Sequence, residues 1–260
     1  MAYGRFRLGI LALVVLAASG CVSQTLDSAG NPVAEKEFDA PAAAKSRMQL
    51  GLAYLRTGNS AQAKMNLLKA QEFAPDLPDV YYSLGYYYQS VGETEQAEEA
   101  YRHAIRLDPK NGEALNNFGA FLCGLGRYEE SVEFFKKAIK APGYIKVAGA
   151  YENAATCSHM EGKLEQAEKY YASALSHDTR RAASLLGMSE TLYDRGDYVG
   201  ARGYLNRFEQ VARPNPRSLF LGLKVAKQTG DTKGVQHYGE ELISKYPDSP
   251  FSQQYRSNDY

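Results

Sequence analysis

The chain has 260 residues, 44% of them hydrophobic, and no tryptophan. Its 30 basic and 30 acidic side chains cancel, and no basic block stands out, so the electrostatic footprint of nucleic-acid binding is missing. The length would suit one or two ordinary domains, unless the chain is an array in which each unit touches only its neighbours.

The first predicted element is an export signal over residues 1–20. Arg5 and Arg7 supply a positive start and Leu8 to Ala18 an apolar run, shorter than the roughly 20 residues that span a bilayer. Ala18-Ser19-Gly20 then precede Cys21, which resembles the lipobox of bacterial lipoproteins, with Ala18 where leucine is commonest. That resemblance implies that Cys21 is lipidated and becomes the mature N-terminus. Val22, rather than aspartate, follows it; by the sorting rule of such lipoproteins this implies the periplasmic face of the outer membrane. An ordinary cleaved signal with a chance cysteine is the alternative, and an uncleaved inner-membrane anchor a further one. Without Arg5 and Arg7 the mature chain keeps 28 basic against 30 acidic residues, a net charge near −2. Residues 21–43 read as a lipidated flexible tether, rich in Ser, Asp, Gly, Pro and Ala, with a mean span on the order of 25 Å.

The organising stretch follows. Tyr81, Leu84, Gly85, Tyr88, Gly92, Ala97, Tyr101, Ala104 and Pro109 fall at positions 4, 7, 8, 11, 15, 20, 24, 27 and 32 of a 34-residue unit starting at Pro78. This matches the pattern of a tetratricopeptide repeat, a pair of antiparallel helices. Small residues at 8, 20 and 27 let the helices approach, and large apolar ones at 4, 7, 11 and 24 fill the seams. Glycine at 15 supplies a left-handed turn residue, and proline at 32 ends the second helix. Five further copies are expected, at 44–77, 112–145, 148–181, 182–215 and 216–249, besides 78–111. The turn glycines Gly58, Gly92, Gly126, Gly162, Gly196 and Gly230 are spaced 34, 34, 36, 34 and 34. Lys146 and Val147 are the two extra residues. Arg47 breaks the apolar rule at position 4 of repeat one. Residues 250–260, with Phe251 and Tyr255, form either a short cap or a frayed tail. The expected fold is an all-α, right-handed superhelical solenoid of six repeats.

Catalytic signals are absent. There is no H-E-x-x-H, C-x-x-C, G-x-S-x-G or phosphate-cradling glycine loop. His103, His159, His177 and His237 are scattered, without metal-ligand spacing. No enzyme activity, cofactor or metal is expected. Cys123 and Cys157 fall at positions 12 and 10 of the first helices of adjacent repeats. An exported protein meets an oxidising compartment, so a Cys123–Cys157 disulfide is expected; two buried free thiols acting as apolar filler are the alternative.

In this kind of superhelix, first-helix positions 2, 5, 9, 12 and 13 line the concave side. Repeats one to three place Met48, Leu52, Leu55, Tyr82, Tyr86, Asn116 and Ala120 there. That is an apolar and aromatic trough with an amide beside it, suited to an extended partner segment. Tyr82 and Tyr86 are four apart and share a helix face. The lysine–asparagine clamp of chaperone adaptors is missing, since positions 5 and 9 hold Met48 and Leu52, or Tyr82 and Tyr86.

Two blocks go beyond the general repeat. Leu115-Asn116-Asn117-Phe118-Gly119-Ala120-Phe121-Leu122-Cys123, followed by Gly126-Arg127-Tyr128-Glu129-Glu130, resembles the central signature of the type IV pilus biogenesis/stability lipoproteins of the PilW/PilF type. Tyr151-Glu152-Asn153-Ala154-Ala155-Thr156-Cys157 is similar to their next block, and Ser218 to Leu223 to a later one. The resemblance implies a six-repeat outer-membrane lipoprotein, monomeric and non-enzymatic. It implies a pilotin, which helps the secretin subunit reach the outer membrane and multimerise, so that pili form and twitching motility follows. It also implies that the early repeats face the partner. The alternative is another repeat lipoprotein, serving outer-membrane protein assembly or cell-wall enzymes.

Overall fold

Each repeat folds as two helices joined by a tight three-residue turn, because a left-handed glycine stops the first helix there. In a computed structural model, which describes residues 38–258 and 260, all six turn glycines have φ between +71° and +83°. The export signal, Cys21 and residues 22–37 of the tether lie outside the described residues.

Repeat one is α1 (Ala40–Arg56) and α2 (Ser60–Phe73); repeat two is α3 (Pro78–Ser90) and α4 (Thr94–Leu107). Repeat three is α5 (Gly112–Gly124) and α6 (Tyr128–Ile139); repeat four is α7 (Val147–Met160) and α8 (Leu164–His177). Repeat five is α9 (Ala182–Asp194) and α10 (Tyr198–Glu209); repeat six is α11 (Pro216–Gln228) and α12 (Thr232–Lys245). The tail forms a seventh first-type helix, α13 (Pro250–Arg256). Side-chain oxygens of Asn59, Asn111, Asp197, Asn215, Asp231 and Ser249 cap helix starts by accepting from backbone N–H groups.

The helix begins at Ala40, four residues ahead of the repeat register. Pro41 near its start and the following alanines favour a first turn, so residues 40–43 belong to α1 and not to a tether.

Close approach inside a pair is visible at Gly85, where a Cβ would lie 2.8–2.9 Å from the Tyr101 ring. Tyr101, Phe118 and Phe135 are almost wholly buried, each removing apolar area that stabilises by about 2–3 kcal/mol. Hydroxyls cross the same seam. Ser131 Oγ donates to the Gly119 carbonyl at 2.8 Å, and Ser189 Oγ to that of Ala201 at 2.7 Å. Leu50 is the exception to the seam rule. It is 41% exposed, because among the described residues no helix pair stands before α1.

The inserted residues lengthen the α6–α7 connection. Gly143 takes φ +73°, and Tyr144 folds over Gly112 so closely that a Cβ there would meet its ring at 2.5 Å. Lys146 Nζ then reaches Glu113 at 2.9 Å. On the second-helix side, Arg127 bridges Glu98 (2.7 Å) and Glu130, while Arg102 pairs with both carboxylates at 2.8 and 3.0 Å. The hydrogen bond from Arg127 holds the Glu98 carboxyl below its usual range despite some burial. No described helix is long and apolar enough to cross a membrane.

Candidate functional site

First helices touch one another along the array: α1 with α3, α5 with α7, α7 with α9 and α9 with α11. Their side chains at every third or fourth position therefore form an inner wall. At its N-terminal end, Met48 and Leu55 are half-buried on a cluster built from Val80, Leu84 and Tyr87. Leu52 is half-buried, Tyr86 is 46% exposed and Ala120 is exposed. These residues present apolar and aromatic surface, with no ion pair among them in the described structure.

Tyr82 links repeats two and three. Its ring lies 6.1 Å from that of Tyr101, and its hydroxyl accepts from Asn117 Nδ2 at 2.6 Å. Burial, reinforced by the nearby Glu113 charge, pushes its pKa up to about 12, so the phenol stays neutral and hydrogen-bonding at ordinary pH. Asn116 has a different role from the one expected. It is nearly buried, and its Oδ1 accepts from Asn153 Nδ2 at 3.1 Å, tying α5 to α7. The amide beside the trough is Asn117 instead. The adjacent asparagines were legible as a signature, but which of the two turned inward depended on where Asn153 stood.

Cys123 and Cys157 lie side by side between α5 and α7, with Cα atoms 5.8 Å apart and sulfurs in bonding contact. Both are buried.

The wall changes character after repeat three. Glu152 accepts from Arg181 at 2.8 and 3.0 Å and from Ser184 at 2.6 Å. His159 Nε2 lies 2.8 Å from Asp194, and Arg217 pairs with Glu190. This half is a ladder of polar contacts from each first helix to the next. Helix α13 covers its far end, where Phe251 stacks on Phe220 at 4.9 Å. The position rule placed Glu152, His159, Glu190 and Phe220 on the wall. It gave no sign of the pairing, because partners 27–35 residues away are fixed only once the repeats stack. Among the described residues, no group of three or more His, Cys, Asp or Glu side chains could hold a metal ion.

Tetratricopeptide repeat models match residues 44–77, 78–111, 100–133 and 161–216. The type IV pilus assembly protein PilF of Pseudomonas aeruginosa is 33% identical over 246 residues, covering 95% of this chain and 97% of that one. The solved structure of Pseudomonas aeruginosa PilF superposes with a TM-score of 0.75 at 34% identity, over 85% of this chain and 100% of that chain. The structure of PilW, described as a widely conserved type IV pilus biogenesis factor, gives 0.76 at 27% identity, over 81% and 97%. With a relative that similar along almost its whole length, the chain belongs to the PilF family of type IV pilus assembly proteins, built on tetratricopeptide repeats.

Proposed function

We propose that the chain is a pilotin: a non-enzymatic lipoprotein that carries the pilus secretin subunit to the outer membrane and promotes its multimerisation. The observation that carries this reading is identity spread over 95% of the chain with a pilus assembly protein. Two features support it. The inner wall of repeats one to three offers Met48, Leu52, Leu55, Tyr82 and Tyr86 without the ion-pair ladder that fills the later repeats. The lipobox sequence ending at Cys21 would supply the membrane address. Holding lipid and secretin on one molecule raises their effective concentration at the bilayer. We further propose that the Cys123–Cys157 pair is oxidised in the periplasm.

Deletion of the gene tests the assignment. Detergent-resistant secretin multimers and surface pili should be lost and should return with the wild-type chain. A Cys21→Ser chain should leave secretin monomers at the inner membrane. Multimers that persist in the deletion strain would end the reading, and a pull-down dominated by barrel-assembly or cell-wall proteins would redirect it.

A further inference from the structure

We propose that the inner wall of repeats four to six carries a second peptide site, in which Lys224 seats an acidic side chain of an extended partner segment. The site lies apart from the trough of repeats one to three and does not depend on it.

A hollow of about 290 Å³ opens here, lined by His159, Tyr193, Phe220, Leu221, Lys224 and Phe251 among others. Most of its charges are already matched: His159 with Asp194, and Arg217 with Glu190. Lys224 differs. Its side chain is half-buried, and its ammonium lies 4.4 Å from the centre of the Tyr193 ring and 5.8 Å from that of Phe220. No carboxylate of a described residue lies within ion-pair distance of it. Ring faces attract the cation but accept none of its three N–H donors well. An oxygen acceptor is therefore called for, and in a partly apolar hollow a carboxylate is the best one.

The chain itself shows the geometry one turn further on. Lys227 lies 4.4 Å from the Tyr260 ring centre and donates to the main-chain oxygen of Tyr260. A segment thus already lies against this wall, ring on ammonium and oxygen on Nζ. Lys224 has the aromatic platform of the same arrangement. The stacked Phe220 and Phe251 rings add a flat apolar floor beside it. The matching ligand is a segment with a glutamate or aspartate next to an aromatic or aliphatic side chain.

The test uses the full-length protein in detergent micelles and a short fluorescein-labelled peptide carrying one Glu beside one Phe and no other charge. Anisotropy should rise saturably. Replacing that Glu by Gln, or Lys224→Met in the protein, should each weaken binding by about tenfold. The two changes together should weaken it little further, because they remove the same contact. Lys224→Arg should retain binding, which separates charge from folding, and thermal melts of all variants should coincide. Additive effects, an unchanged titration in Lys224→Met, loss of binding in Lys224→Arg with an unchanged melt, or no saturation up to about 1 mM peptide would each overturn the proposal. Secretin multimers should persist in a Lys224→Met strain, because its early-repeat trough is unaltered, so either site can fail alone.

Discussion

Gly85 and Gly92 are separated by one helical stretch and serve opposite needs. Gly85 sits inside α3 and leaves no room for a Cβ beside the buried Tyr101 ring. Gly92 has φ +80° and open space around it. Gly85→Ala gains about 1 kcal/mol of helix propensity but forces the ring aside, at about 1–3 kcal/mol. Gly92→Ala costs about 1–2 kcal/mol through backbone strain alone. Asparagine distinguishes the two mechanisms in urea melts. Gly92→Asn should recover part of the alanine loss, since asparagine tolerates a left-handed backbone, whereas Gly85→Asn should be worse than Gly85→Ala and alter the near-ultraviolet tyrosine signal. Both glycines were legible from their fixed positions in the unit. The roles of Asn116 and Asn117 were not, because position alone does not say which amide meets a partner 35 or 37 residues away.

At the level of helices, stacking of first helices made the proximity of Cys123 and Cys157 readable. The two cysteines are 34 residues apart, one repeat length, and so fall on adjoining rods. If oxidised, the bridge should stabilise the array by about 3–4 kcal/mol through the loop it closes. Cys123→Ser, or reduction with dithiothreitol, should lower the urea midpoint correspondingly, and reduction should leave Cys123→Ser unaffected. Alkylation of both thiols in denatured, unreduced protein would show that no bridge exists. The insertion beside that junction was visible only as a slipped period. Its outcome, Tyr144 laid over Gly112 and Lys146 reaching Glu113, has no repeat signature, since the residues belong to a connection and not to a face. The start of α1 was missed for a related reason: alanine-rich sequence before the first apolar position carries propensity but no periodicity.

Across the whole array the six-unit solenoid was legible from glycine spacing, and the difference between its two ends was not. At the first repeat, Met65 and Leu68 are exposed on α2 and line a shallow hollow with Arg47 and Asn66, while Leu50 is exposed on α1. A terminal repeat with a polar outer face would have been the solubility-favouring choice. Leu50→Ser combined with Met65→Ser should therefore shift stability by no more than about 0.5 kcal/mol while reducing secretin multimers in cells. A large loss of stability, or undiminished multimers, would show that this end is not part of the partner face.

The opposite end carries a consequence for how such chains change over time. Helix α13 turns Gln253, Gln254 and Arg256 outward while Ser252 and Phe251 hold its inner side. A module packed against that outer side would have to cover those amides, together with a guanidinium that donates to the Pro247 carbonyl at 3.1 Å. Growth of the array by stacking is therefore less favourable on this side than against the exposed Met65 and Leu68 of the first repeat.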